Sequence, residues 1–197
     1  MDPVSIINEI FAAHIEDISS TAVALAEPLS EASEVIVHGL LSDKKILCAG
    51  GGSNSALAQI FTSHLVNHFT RERPGLPAIA LSADTCLLNA VSETSQYAET
   101  IARQVSTLGN PGDTLFLLAG SSNGDSLIRA MRAAHERELT VVLCHGDNQA
   151  DVVSLLNNQD VELGVPVRST PQLMEAYLVI INCLCELIDR FLFGAES

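Results

Sequence analysis

The sequence predicts an α/β fold, a doubly wound parallel sheet of five strands with helices on both faces and further helices at the N-terminus. Two observations predict it. Short apolar runs alternate with helical stretches along residues 44–167, which is typical of parallel strands joined by crossover helices. The 197 residues are 47% hydrophobic and 17% charged, enough for one sizeable core, so a single domain is expected over 1–197.

Two helices are predicted before the first strand, within residues 1–41. Asp2 followed by Pro3 is typical of an N-cap and a first helical turn. The apolar residues that then share one helical face are Ile6, Ile7, Ile10 and Phe11. A second helix is predicted over 21–41, and residues 42–197 form the α/β core with its C-terminal helix.

Five segments have the apolar character of strands covered on both faces. They are 44–50 (KKILCAG), 77–82 (PAIALS), 113–120 (DTLFLLAG), 139–146 (LTVVLCHG) and 160–167 (DVELGVPV). In such a sheet the loops at the carboxyl ends of the strands face the ligand, so a site is expected there.

The last predicted element is a long helix over Thr170–Phe193, with Leu, Ile and Val around much of its circumference. A helix that is apolar on more than one face has to be buried on more than one face, in its own core or against another subunit. A homo-oligomer is therefore expected. The residues expected in core or subunit contacts are Leu178, Ile181, Leu184, Cys185 and Ile188.

Charge and composition exclude several classes of protein. The formal net charge is -14 and the ten Lys and Arg residues are scattered, which argues against direct binding to nucleic acid. Neither an export signal nor a membrane span is recognisable. The five cysteines form neither a disulfide framework nor a four-ligand zinc motif, so free thiols in a soluble, cytoplasmic protein are expected.

The first loop with the character of a ligand site follows the first strand, in CAGGGSNSALAQ. Glycines allow the backbone to approach a ligand, and hydroxyl or amide groups at a helix N-terminus favour an anion. The candidate ligand-binding residues are Gly50, Gly51, Gly52, Ser53, Asn54 and Ser55. The alternative is an ordinary strand-to-helix turn, because the stretch matches neither GxGxxG nor a P-loop.

A second loop of the same kind follows the third strand, in LLAGSSNGDSLIRA. Its candidate ligand-binding residues are Ser121, Ser122 and Asn123, ahead of a helix that Asp125 or Ser126 would help to cap. Two such loops in one sheet strengthen each other. Asp125, however, puts negative charge where a phosphate would sit.

Three stretches resemble the sugar isomerase (SIS) domain: ILCAGGGSNSALAQIF with the following RERPGLPAIAL, GDTLFLLAGSSNGDSLIRA, and NCLCELIDRFLF. The resemblance covers nearly the whole chain. It is greatest to the branch that contains the phosphoheptose isomerases and DiaA, the DnaA initiator-associating protein, and NCLCELID is closer to the DiaA-like members. It implies a doubly wound sheet and a homotetramer.

The resemblance also implies that catalysis is lost. Phosphoheptose isomerases move a proton between adjacent carbons of sedoheptulose 7-phosphate with a general acid and base, a His, a Glu and a final-helix His. At the corresponding positions this chain has Gln59, Ser63 and Asn182. None of these titrates near neutral pH, and none is a customary ligand of the zinc found in some members, so neither turnover nor a metal cofactor is expected.

Three other sets of polar residues are weaker candidates. His64 and His68 are four residues apart and would share a helical face, but they lack the further ligands that zinc needs. His145 and Asp147 follow a strand, where a turn role is favoured over a ligand contact. Glu175 retains a family Glu on the final helix, and no acid or base partner for it is apparent.

The leading hypothesis is a non-catalytic scaffold of the DiaA type that binds the replication initiator DnaA. The resemblance places the partner contact at an apolar pair, Leu192 and Phe193, whose alternative role is to end a buried helix. A phosphoheptose isomerase is the alternative from the enzyme class. A third interpretation is a sensor that binds a sugar phosphate without converting it.

Overall fold

A doubly wound sheet forms the centre of the molecule. The structure, a computed structural model, describes residues 2–94, 96–120, 124–147 and 149–194. Within these ranges the strands are β1 (Ile46–Gly50), β2 (Ala78–Ala80), β3 (Thr114–Leu118), β4 (Thr140–His145) and β5 (Val161–Gly164). Neighbouring strands are parallel in the order β2-β1-β3-β4-β5. The predicted five-stranded parallel sheet is confirmed, with each strand shorter than its predicted segment.

Helices cover both faces of this sheet. They are α1 (Pro3–Leu41), α2 (Asn54–Val66), α3 (Thr85–Thr94), α4 (Glu99–Leu108), α5 (Gly124–Glu136), α6 (Ala150–Val153) and α7 (Thr170–Phe193). From β1, Ile46 and Cys48 join the core under α1, α2 and α7. Leu47 and Ala49 join the opposite core, under α4, α5 and α6. Burial on both sides explains why the strands lack polar alternation.

The N-terminal region is one helix of 39 residues, so the prediction of two helices is wrong. Residues 12–20, where a break was expected, contain neither Gly nor Pro. The hydroxyls of Ser19 and Thr21 donate to backbone carbonyls four residues earlier, each at 2.7 Å, and so remain satisfied inside the helix. Even Pro28, which lacks an N–H to donate, is accommodated within it.

Helix α7 is confirmed over its predicted length, and in the single chain it is buried along one side. Ile181, Leu184, Cys185 and Ile188 are buried as predicted, whereas Leu178 is exposed. The N-terminal half of α1 is also apolar and exposed, through Val4, Ile7, Ile10, Phe11 and Ile15. Such positions are those that a second subunit would cover. Among the described residues, no helix combines the length and apolar character that crossing a bilayer requires.

Candidate functional site

The first glycine loop and the start of the second lie side by side at the carboxyl edge of the sheet. Strands β1 and β3 are neighbours, with Gly50 opposite Leu118, and the Gly51 N–H donates to the Leu118 carbonyl at 2.9 Å. The direction of strand addition reverses between these strands, which is where doubly wound sheets bind ligands. The predicted Ser121, Ser122 and Asn123 lie outside the described residues.

Glycine is required at two positions, one for the turn of the first loop and one for the contact between the loops. A Cβ atom on Gly50 would lie 2.3 Å from the carbonyl oxygen of Asn54, and one on Gly120 would lie 2.9 Å from that of Gly51. Side-chain carbons do not approach backbone oxygens so closely. Both the turn at Gly50 and the close contact at Gly120 therefore depend on glycine having no side chain.

The start of the second loop is fixed from two directions. The Ala119 carbonyl accepts the side-chain amide of Asn54 at 2.9 Å and the hydroxyl of Tyr177 at 3.0 Å. Burial raises the pKa of Tyr177, so this hydroxyl keeps its proton and remains a donor. Residues from α2 and α7 thus hold β3 in place at the candidate site.

Some polar atoms at this edge retain unused hydrogen-bonding capacity. The Asn54 Oδ1 and Ser126 Oγ atoms are buried and have no hydrogen-bond partner among the described residues, whereas buried polar atoms normally have one. Ser53 precedes α2, and its hydroxyl donates to the sulfur of Met174 at 3.4 Å rather than capping the helix. Ser55 is half-buried in the first turn.

The carboxylate of Asp125 pairs with an arginine of α5, the helix that follows the second loop. Both of its carboxylate oxygens accept hydrogen bonds from the Arg129 Nε at 3.1 Å, and Arg129 also pairs with Glu99. Asp125 lies in the first turn of α5, where a negative charge is favourable. One guanidinium is shared by two carboxylates, so it offsets the charge of Asp125 only in part, and Asp125 still opposes a bound phosphate.

The three positions of the family's acid and base lie on two helices, α2 and α7, in different surroundings. Gln59 and Ser63 are exposed on the outer face of α2, one turn apart. Asn182 lines a groove of about 540 Å³ between α1 and α7, together with Leu29, Phe69 and other residues, and neither Gln59 nor Ser63 lines this groove. Gln59 and Ser63 are therefore open to solvent in one chain.

The donor set at these positions does not fit a zinc ion. Zinc in proteins is bound by thiolate, imidazole and carboxylate groups. Gln59, Ser63 and Asn182 offer amides and a hydroxyl instead. The described residues also contain no group of three or more His, Cys, Asp or Glu side chains that could hold a metal ion.

Glu175 has a titratable partner, so the expectation that it lacks one is wrong. The Nδ1 atom of His14 on α1 lies 2.5 Å from the Glu175 Oε2 atom on α7. The pair opens into a cleft of about 410 Å³ that Ile10 and Phe11 also line. Sequence analysis missed His14, because 161 residues separate the partners and no local pattern connects them.

His145 and Asp147 have structural partners. The His145 Nδ1 lies 2.8 Å from the Gly146 carbonyl and its Nε2 lies 2.8 Å from Glu162, while Asp147 accepts from Arg168 at 2.8 Å. These contacts agree with the favoured turn role. The predicted shared helical face of the other pair is wrong, because α2 ends at Val66, before His68, whereas His64 lies inside the helix.

The predicted partner residues lie at the C-terminal tip of α7 in different environments. Leu192 is half-buried and packs against the core, whereas Phe193 is exposed. Arg71 contacts Phe193, with its guanidinium carbon 5.3 Å from the ring centroid. Phe191 is the more exposed phenylalanine, but positions two apart on a helix point about 200° apart, so it faces away from Phe193.

The fold and the loops at its switch point define the class of protein. Residues 10–144 match the family described as SIS domain, so the chain belongs to the SIS-domain family. Within it, the relatives place the chain in the branch of the phosphoheptose isomerases and DiaA.

Three relatives illustrate this branch. A phosphoheptose isomerase of Methylococcus capsulatus is 39% identical over 194 residues, which are 98% of this chain and 100% of the relative. A DnaA initiator-associating protein DiaA of Photorhabdus laumondii is 37% identical, over 95% of each chain. The solved structure of a phosphoheptose isomerase from Francisella tularensis superposes with a TM-score of 0.92 at 35% identity, covering 96% of this chain and 100% of that one.

Proposed function

We propose that this protein is a non-catalytic SIS-domain scaffold of the DiaA type, a homotetramer that binds the replication initiator DnaA and has a degenerate sugar-phosphate pocket. The observation that carries the proposal is the identity of three residues. Gln59, Ser63 and Asn182 occupy the positions that resemblance assigns to the acid and base of the isomerases.

The chemistry of aldose–ketose isomerisation explains why this substitution matters. A proton has to leave one carbon and arrive at the next, so the enzyme needs a group that accepts and returns it near neutral pH. Carboxamides and a serine hydroxyl do not exchange protons in that range without an adjacent base. The surviving loops can at most bind a sugar phosphate, which is the sensor alternative.

The tip of α7 supports a protein contact. Phe193 is exposed at the end of the helix and lies beside Leu192, which the core holds in place. Aromatic residues at such a position are frequent anchors of protein interfaces. The net charge of -14 would favour a basic surface on the partner. DnaA acts in the cytoplasm, so the proposal places this chain there.

Assembly is part of the proposal. The exposed apolar residues on α1 and α7 together form more apolar surface than a monomer normally leaves in contact with water. Packing these helices against copies of themselves would cover these apolar residues. A tetramer has enough subunits to cover both helices.

Two measurements on one double variant test this proposal: light scattering reports the oligomeric state, and a binding assay with purified DnaA reports the affinity. Leu192→Ala combined with Phe193→Ala is expected to keep the tetramer and to weaken DnaA binding at least about thirtyfold, as truncating an interface anchor of about 2 kcal/mol does. Leu41→Ala, which truncates an exposed leucine at the end of α1, is the control and should bind as the unaltered protein does. An intact tetramer with undiminished binding would contradict the proposed contact.

One observation favours the enzyme as a second candidate. The His14 and Glu175 pair is a titratable acid and base on the face of α1 and α7 that a further subunit would enclose. Turnover of sedoheptulose 7-phosphate that His14→Gln or Glu175→Gln abolishes would establish this candidate. We favour the scaffold because the pair stands at none of the three inferred catalytic positions.

A further inference from the structure

We propose that Arg71 is a positioning residue for the partner contact, because it fixes the ring of Phe193 before the partner binds. This inference rests on the proposed function, since it concerns the same surface. Arg71 lies in RERPGLPAIAL, a stretch that the resemblance singles out and that neither the glycine loops nor the acid and base positions use.

Arg71 makes three contacts with the end of α7. Its two terminal guanidinium nitrogens donate to the carbonyl of Gly194 at 2.7 Å and to that of Phe193 at 3.0 Å. The guanidinium also faces the Phe193 ring. The last carbonyls of a helix have no partner within it and attract cations, so the guanidinium caps the helix while it holds the ring.

A buried ion pair holds the segment that presents Arg71. The Nε of Arg73 donates to Asp189 at 2.6 Å, and both side chains are almost fully buried. Its other nitrogens donate to the carbonyls of His64 and Leu65 at 2.9 and 2.8 Å. Arg73 is therefore tied to α7 and to the end of α2 at once, and Arg71 is two residues from this anchor.

The distance between Arg71 and Arg73 along their segment matches the distance between their partners along α7. Residues 72–77 form no helix or strand, and two residues of extended chain span about 6.6 Å. Asp189 and Phe193 are one turn apart on α7, which corresponds to a rise of about 6 Å. Arg73 and Arg71, which are two residues apart, can thus contact Asp189 and Phe193 respectively, which are four residues apart on α7.

As a consequence of these contacts, the ring of Phe193 is ordered before the partner binds. A free phenylalanine at a helix end samples several rotamers and loses that freedom on binding. Restricting it beforehand improves affinity by an amount that corresponds to about two- to tenfold. Arg71→Ala should weaken DnaA binding by this factor, without removing any group that the partner needs to touch.

The test is a double-mutant cycle on dissociation constants for purified DnaA, measured by biolayer interferometry with the full-length chain. The variants are Arg71→Ala, Phe193→Ala, their combination, and Arg71→Lys. Arg168→Ala is the control, since it removes an exposed arginine just before the other end of α7. We expect Arg71→Ala to weaken binding two- to tenfold in the unaltered chain and to have no effect when Phe193 is already alanine.

Each outcome separates this inference from the proposed function. Arg71→Lys keeps the charge but loses the forked donor, so it should bind like Arg71→Ala; affinity equal to that of the unaltered protein would assign the effect to charge and overturn the inference. An Arg71→Ala effect that persists in the Phe193→Ala background would overturn it as well. If Phe193→Ala weakens binding and Arg71→Ala does not, only this inference fails. If Phe193→Ala binds normally, the proposed contact fails with it.

Discussion

Breaking the buried ion pair between Arg73 and Asp189 should destabilise the C-terminal end of α7. Both side chains are at most 2% exposed and the Nε–Oδ1 distance is 2.6 Å. Replacing Asp189 by alanine leaves a guanidinium buried without a counter-ion. Removing one member of such a pair costs about 3–5 kcal/mol of unfolding free energy.

Two backbone carbonyls that Arg73 also contacts should lower this free-energy cost. His64 and Leu65 still accept its other nitrogens after the change, which partly solvates the unpaired guanidinium. We therefore expect Asp189→Ala to lie near the lower end, at about 3 kcal/mol. Replacing both members together, by Arg73→Met with Asp189→Leu, should cost less than that, because it leaves no buried charge.

Urea unfolding followed by circular dichroism at one fixed protein concentration measures these differences. Arg190→Ala is the matched control on the same helix. It removes an exposed pair with Glu186, four residues away, which is expected to contribute about 0.3–0.5 kcal/mol. A loss below about 1 kcal/mol for Asp189→Ala would refute the argument that the change leaves an unpaired guanidinium buried.

Two further predictions concern the ligand site and the thiols. Sugar phosphates should bind no tighter than about 1 mM, because the candidate residues of both loops, Gly50–Ser55 and Ser121–Asn123, are uncharged; calorimetry that shows micromolar affinity would favour the sensor. Cys86 should react with a thiol reagent in the native protein at pH 8, whereas Cys48 and Cys185 should react only after unfolding, since burial raises the pKa of each to about 12 and leaves almost no thiolate. Mass spectrometry of the labelled peptides would show which thiols have reacted, and rapid native labelling of Cys48 would contradict the burial.

Local patterns predicted most of the fold. The five strands follow from apolar runs, and the meeting of the two glycine loops follows from a rule of doubly wound sheets rather than from any contact in the sequence. The continuity of α1 could not be predicted, because the polar residues around Ser19 are helix-neutral by themselves. Their hydroxyl bonds to the backbone appear only once the helix exists.

The positions of the candidate site stay a prediction, and its long-range pairings could not be predicted. Family resemblance supplied Gln59, Ser63 and Asn182, and the sequence alone supplied the glycine loops. The contacts of His14 with Glu175 and of Arg71 with Phe193 join residues more than 100 positions apart. Such pairs depend on how α1 and the segment before β2 pack against α7, which no spacing in the sequence encodes.

The most direct test of the central claim is turnover of sedoheptulose 7-phosphate by the purified protein, with and without added zinc. The proposal predicts a rate at background in both conditions, because no residue at the three inferred catalytic positions exchanges a proton near neutral pH. His14→Gln and Ser63→Ala, assayed beside the unaltered protein, should be equally inactive. Turnover that follows the protein through gel filtration and disappears in either variant would contradict the claim.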